Sequence, residues 1–293
     1  MNKNKVLVIL GMHRSGTSLI TQWLQACGLH IGDALLGPET GNDEGHFEDI
    51  DFVDLHRQLL VNRQLPGTGL CNNNITTLSV AEEDTIKAVI EDKNKQHKQW
   101  AWKDPRTCLF LDAYRKLMPD AHYVVILRDY RSVVSSLLNR ENKGLLRYYN
   151  SKGVVYKFFL RMKRKYNRDW VNETYVRQYL ETWIAYSEAL LQHIYSLPES
   201  SFVVVKYTKL LEDDKPFFNT LTSWQFNLTH KPFTSIFKQQ LIGQPLNISS
   251  LVKDNTLLIK AKRLERKLEE ALMKAPVEEI APAKHMLLTQ MKQ

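Results

Sequence analysis

The sequence predicts an α/β protein of three layers, with a mainly parallel central sheet flanked by helices. Three observations carry this reading. Val6-Leu-Val-Ile-Leu10 runs directly into a two-glycine turn and then a helical face. Tyr123-Val-Val-Ile-Leu127 and Phe202-Val-Val-Val-Lys206 are further short, apolar, β-branched runs, and residues at helical spacing fill the intervals between these strands. Strands that alternate with helices and are apolar on both faces belong to a parallel sheet covered on both sides.

Composition agrees with a folded globular chain. Its 293 residues are 43% hydrophobic and 25% charged, which excludes a disordered or fibrous protein. One domain is expected over 1–293, with a basic helical insertion at about 140–196 and a C-terminal helical extension at about 254–293. The net charge of +8 favours anionic partners. Cys27, Cys71 and Cys108 show no paired spacing, so neither a disulfide framework nor a zinc site is suggested. A reducing, cytoplasmic setting is expected. The apolar run 6–10 is too short for a signal peptide or a membrane span.

In chain order, Leu19, Ile20, Trp23, Leu24 and Cys27 form the buried face of the first helix, and Gly28 stops it. Leu29-His-Ile31 reads as a short strand or an extended turn, and the glycine-rich stretch 32–47 as a loop. Phe47-Glu48-Asp49 is expected to open the next helix, with Ile50, Val53, Leu55, His56, Leu59 and Leu60 on its buried side. Ser79 and Glu82 form a capping box ahead of Ile86, Val89 and Ile90. Trp100-Ala-Trp-Lys103 reads as a strand, followed by Asp104 as cap and Pro105 as first helical residue. Arg128-Asp129 leads into a helix through Ser132, Val133, Ser136 and Leu137. Tyr175, Tyr179, Trp183, Tyr186, Leu190 and Ile194 recur at steps of three and four, a core-packing stripe. Asn255 to Lys274 reads as an amphipathic helix, solvated or packed against a partner.

The chemistry begins at Gly11-Met-His-Arg-Ser-Gly-Thr-Ser18. Two glycines allow a sharp turn, and the helix that follows adds its unpaired N–H groups and positive dipole end, so the loop suits a phosphate or sulfate. The spacing approaches the nucleotide-kinase P-loop, but Thr17 stands where that loop has its lysine, and Arg14 is the only loop cation. Arg14 followed by Ser-Gly-Thr-Ser resembles the 5′-phosphosulfate loop of the sulfotransferases that use 3′-phosphoadenosine 5′-phosphosulfate (PAPS), in their tyrosylprotein and bacterial carbohydrate-type branches. A generic P-loop for another nucleotide is the alternative for this segment taken alone.

Two more segments share the resemblance. Arg128 at a strand end with Ser136 eight residues on is similar to the family's 3′-phosphate clamp, in which a charged fork and a hydroxyl hold one phosphate. Arg131 either adds charge there or faces water. Trp102-Lys103-Asp104-Pro105 resembles the segment that sets a lysine beside the transferred sulfuryl group. Val205-Lys-Tyr207-Thr-Lys-Leu-Leu211 is a weaker match to the family's later Tyr-Glu-Asp-Leu segment. The resemblance thus spans about 6–211 and implies a P-loop-type fold.

It also implies a set of residues and ligands. Gly11, His13, Arg14, Ser15, Gly16, Thr17, Ser18, Arg128, Ser136 and Tyr207 would hold the donor, His13 either touching phosphate or filling the turn. Arg14 and Lys103 would stabilise the transferred group. Glu48, in a segment similar to the bacterial Gly-Tyr-Trp-Glu, would take the acceptor's proton, with His46 as its rival. The implied reaction carries a sulfuryl group from PAPS to a hydroxyl or amine, with carbohydrate as acceptor class and 3′,5′-adenosine bisphosphate (PAP) as product. No metal and no nucleic-acid partner are expected. In the enzyme the basic stretch from Arg140 to Arg168 is expected to flank the acceptor cleft or meet an anionic surface, with a solvated helical face as the alternative. A Mg²⁺-ATP kinase is the competing enzyme, and a scaffold that binds an anionic polymer through the basic 140–168 region is the competing non-enzyme.

Overall fold

The computed structural model describes residues 4–37, 45–73, 75–151, 154–238 and 245–273, without the side chains of 149–150 and 154–168. Its sheet has four strands: β1 (Lys5–Leu10), β2 (Gln99–Lys103), β3 (His122–Ile126) and β4 (Phe202–Val205). They lie in the order β2-β1-β3-β4, all parallel. Ile9 sits opposite both Lys103 and Val124, and Ile126 opposite Val205. The chain leaves β1 to one side for β2, then crosses to the other side for β3. Open α/β sheets place their ligand crevice at such a reversal, beyond the C-terminal strand ends.

Alternate strand residues feed two cores, as the two-residue period requires. On one face Val6, Val8, Leu10, Trp100, Trp102, Tyr123 and Val125 pack beneath α2 (Ile50–Asn62), α3 (Val80–Gln96), α4 (Leu111–Leu117) and α5 (Tyr130–Asn150). The same core takes in α6 (Val154–Ser196). On the other face Leu7, Ile9, Ala101, Val124, Ile126, Val203 and Val205 meet α1 (Thr17–Ala26), α7 (Tyr207–Glu212) and α8 (Lys215–Ser223). Two more helices, α9 (Ile248–Leu251) and α10 (Asn255–Met273), rejoin the first core.

The aromatic stripe is core as expected: Tyr179, Trp183, Tyr186, Leu190 and Ile194 are all buried along α6. The α10 helix turns Leu258, Ala261, Leu264, Leu268 and Ala271 onto the core beside α6, so its partner lies within the chain. The Ser79–Glu82 capping box is present. Gly28, at φ 101, ends α1, and Leu29–Ile31 lies extended, its His30 carbonyl accepting the Ala101 N–H at 2.8 Å.

One boundary differs from expectation. Phe47 and Glu48 precede α2 rather than opening it, and Asp49 is the cap, accepting from the Asp51 N–H. Phe47 adopts φ 53, and the Glu48 carbonyl accepts the Leu36 N–H at 2.7 Å. That pairing with 34–36 holds the backbone extended up to Asp49.

Pro105–Leu109 forms a 3₁₀ turn capped by Asp104. Pro38, Gly41 and the 42–44 stretch of the glycine-rich loop, Lys152, and the part of the C-terminal extension from 274 onward lie outside the described residues. No helix among the described residues is long and apolar enough to cross a membrane.

Candidate active site

All four strands end at one rim, where the cleft opens. Gly11 leaves β1 with its Cα pressed on Ile126 O and Thr17 Cγ2; an added Cβ would lie 2.9 and 2.8 Å from them, so no larger residue fits. The loop then turns through Arg14 at φ 66 and Gly16 at φ 93, the cap residue of α1. No side chain caps this helix, whose first residues Thr17, Ser18 and Leu19 line the cleft. Uncapped N–H groups and the dipole give it an electropositive floor.

Arginines gather above that floor. Arg14 Nε donates to Ser136 Oγ at 2.9 Å, and Arg128 Nη1 to the Arg14 carbonyl at 2.7 Å. The Arg128 guanidinium stands 5.8 Å from the centre of the Tyr207 ring, which packs against Gly16. Arg140, one helical turn after Ser136, lines the same cleft. Burial first, then repulsion from Arg140 and Arg128, pushes Arg14 down to about 10. It remains protonated at neutral pH. Arg14 and Arg128 have no carboxylate partner among the described residues.

The opposite wall is fully paired. Lys103, at the end of β2 and 1% exposed, donates to Glu48 Oε1 at 2.7 Å, to Ser18 Oγ at 3.3 Å and to the His46 carbonyl. Arg106 Nη2 reaches Glu48 Oε2 at 3.2 Å, and its Nε reaches Asp104 Oδ1 at 2.8 Å. Asp104 Oδ2 meets His56 Nδ1, and His56 Nε2 meets the Tyr114 hydroxyl, each at 2.7 Å. Burial alone would raise the Asp104 carboxyl, but Arg106 and His56 override it and hold it well below the carboxylate range. Burial lowers the Lys103 ammonium, partly offset by Glu48.

Most of the sequence-predicted residues therefore meet. His13, Arg14, Gly16, Thr17, Ser18, His46, Glu48, Lys103, Arg128 and Tyr207 line one cleft, and Ser136 joins through Arg14. Ser15 is buried behind the loop, and Gly11 serves by its close packing. Arg131 points away, its Nη2 3.1 Å from Glu265 on α10. His46 Nδ1 is 3.8 Å from Glu48 Oε1, so both candidate bases stand together. His13 Nε2 is buried without a partner, and burial holds that ring well below the usual histidine range.

Sequence reasoning missed Arg106 as the second holder of Glu48 and Phe237 as a cleft residue, whereas Arg140, expected with its basic stretch to flank the cleft or meet an anionic surface, lines the cleft itself. Arg140 was legible as the residue four after Ser136 on one helix face. Phe237 stacks 6.4 Å from Tyr207 across a long sequence gap that carries no local signal. Of the basic stretch that begins at Arg140, Arg140 lines the cleft, and the side chains at 152–168 lie outside the described residues.

An uncapped helix end at the sheet's reversal point, with two arginines there that have no carboxylate partner among the described residues, makes an electropositive cleft suited to phosphate- or sulfate-bearing ligands. A family model described as the sulfotransferase family matches residues 7–225, and the chain belongs to that family. No curated protein sequence matches it. Among solved structures it is similar to the sulfotransferase domain from the curacin biosynthetic pathway, at 12% identity and TM-score 0.49, over 92% of this chain and 99% of that one. It is also similar to the sulfotransferase domain of the Synechococcus PCC 7002 olefin synthase, at 16% identity and TM-score 0.42, over 93% and 94% of the two chains. A third similar structure is sulfotransferase STF1 from Mycobacterium tuberculosis H37Rv, at 13% identity and TM-score 0.40, over 93% and 77%.

Proposed function

We propose that this chain moves a sulfuryl group from PAPS to a hydroxyl or amine of a carbohydrate acceptor and releases PAP. The observation that carries the reading is the meeting of Arg14, Arg128 and Arg140 at the uncapped start of α1, with Arg14 and Arg128 lacking a carboxylate partner among the described residues. Such a cradle is complete only with an anion in it. The buried, unpartnered His13 Nε2 beside it fits the same requirement.

In-line transfer asks for placement and charge stabilisation more than covalent help. Arg14 neutralises charge gathering on the departing phosphate. Lys103 turns from Glu48 to the sulfuryl oxygens, and Glu48, still held by Arg106 at 3.2 Å, accepts the acceptor's proton. Arg128 and Ser136 hold the 3′-phosphate. Because Ser136 and Arg128 both bind Arg14, the two anion subsites act on one another. The carbohydrate acceptor rests on the resemblance of the Arg14 loop to the bacterial carbohydrate-type branch.

The test is a thermal-shift panel joined to turnover. PAP should raise Tm without Mg²⁺, since the loop supplies its own cation. Glu48→Gln should stop turnover while PAP still binds, as loss of a general base costs about 10²–10⁴-fold. Stabilisation only by Mg²⁺-ATP would replace this reading with a kinase. Near-normal turnover of Glu48→Gln together with an inactive His46→Ala would move the base to His46.

A further inference from the structure

On the outer side of β2, away from the cleft, three side chains with metal-ligand chemistry converge. His30 lies on the extended segment beside β2, and His97 is the C-cap of α3. Their rings stack with centroids 3.7 Å apart and planes inclined by 25°. Both Nε2 atoms turn to one oxygen, Asp33 Oδ1, at 3.3 Å from His30 and 2.8 Å from His97. His30 Nε2 is buried and makes no hydrogen bond even to that oxygen. All three ligand atoms lie within 4.8 Å of one another.

These separations have a chemical meaning. Nitrogen and oxygen ligands about 2.0–2.2 Å from a tetrahedral ion stand roughly 3.3 Å apart. The His30–Asp33 separation of 3.3 Å matches this. The His97–Asp33 contact at 2.8 Å is a hydrogen bond that an ion would replace, and the stacked rings would swing apart to aim both nitrogens at it. The carboxylate is also oriented: Asp33 Oδ2 is 2.8 Å from Lys93 Nζ, which is bound in turn by Asp49 Oδ2 at 2.8 Å and Asp51 Oδ2 at 2.7 Å. A ligand carboxylate fixed through its second oxygen is the outer-shell arrangement metal sites use.

We propose that His30 Nε2, His97 Nε2 and Asp33 Oδ1 form a binding site for one divalent ion of the zinc type, with water as the remaining ligand. Two imidazoles and one carboxylate suit Zn²⁺, Co²⁺ or Ni²⁺ and not Ca²⁺ or Mg²⁺, which want an oxygen shell. The role is structural. The ion ties the 29–36 segment to the end of α3, and the Asp33–Lys93–Asp49 chain carries that restraint to the residue after Glu48. Gly32 reinforces the path, since its φ of 138 and an added Cβ only 2.7 Å from Asp49 Cβ press the segment on the α2 cap. This site is independent of the sulfuryl-transfer reading.

The full chain, cleared of metal with a chelator and dialysed, is titrated with Zn²⁺ by calorimetry and with Co²⁺ by visible absorption. One equivalent should bind, raise Tm, and give the intense Co²⁺ spectrum of a four-coordinate site. His30→Ala and His97→Ala should each weaken binding by more than the roughly 10–100-fold that losing an outer-shell partner costs. Circular dichroism shows that each variant is folded, and Ca²⁺ should leave Tm unchanged. Undiminished Zn²⁺ binding in the His30→Ala/His97→Ala double variant overturns the proposal. So does wild-type protein that gives no Tm shift with Zn²⁺ and only the pale spectrum of hexahydrated Co²⁺.

Discussion

Arg14 and Arg128 meet a hydroxyl and a backbone carbonyl, whereas Lys103, Glu48, Arg106 and Asp104, across the same cleft, are linked charge to charge, with His56 hydrogen-bonded to Asp104. The difference separates two tasks. A buried charge network that is satisfied internally is rigid before any ligand arrives, and removing one member strands the rest. A cluster of like charges stays poised, and an arriving anion relieves its repulsion. One wall of the cleft is finished by folding and the other by binding.

The largest effect should come from breaking the finished wall. Asp104→Ala leaves Arg106 and His56 buried without their carboxylate and should cost about 3–5 kcal/mol in urea unfolding. A loss below about 1 kcal/mol would mean that the network is not holding the wall.

Arg14→Ala should do the reverse, lowering kcat about 10²–10³-fold while leaving folding stability within about 0.5 kcal/mol of wild type. Destabilisation as large as that of Asp104→Ala would abolish the contrast.

His193 sharpens the comparison as a third solution, a buried group kept neutral. Both its ring nitrogens lack partners, and burial, then Arg115, pushes its pKa down to about 4 from 6.5. The unfolded chain therefore binds more protons between those values, so stability is full above pH 6.5 and falls as pH drops toward 4, by about 3 kcal/mol. His193→Leu should flatten that slope in unfolding curves recorded at several pH values. An unchanged slope would place the titration elsewhere.

The smallest effect tests the poised wall directly. Arg140→Gln should raise the Tm of the ligand-free protein slightly, by the equivalent of about 0.2–1 kcal/mol, and weaken PAP. The gain should fade in 1 M salt, where screening acts within about 3 Å. A fall in Tm at low salt would show that the arginines are not repelling one another.

Much of this was legible in the sequence. The four strands, the anion loop and Arg128 are written in contiguous residues, where a β-branched run or a glycine pair has a local meaning. The Ser79–Glu82 cap follows for the same reason. Arg106 holding Glu48 was not legible, because those residues meet through a backbone turn, Phe47 at φ 53, that the apparent helix start concealed. Nor was His56, whose place on an apolar helix face reads as ordinary core until Asp104 arrives from the end of β2.

The His30 carbonyl that accepts the Ala101 N–H has a consequence for the protein's behaviour in crowded solution. β2 is an outer strand of the sheet, and an outer strand offers its unpaired N–H and C=O groups as a template for another chain. The segment at 29–31 lies along that edge and occupies one of its donors. A chain in which this segment detaches would leave the Ala101 N–H on that edge unpaired and open to pairing with another strand. The 29–31 segment next to the active-site loop thus covers one donor of the sheet's outer edge.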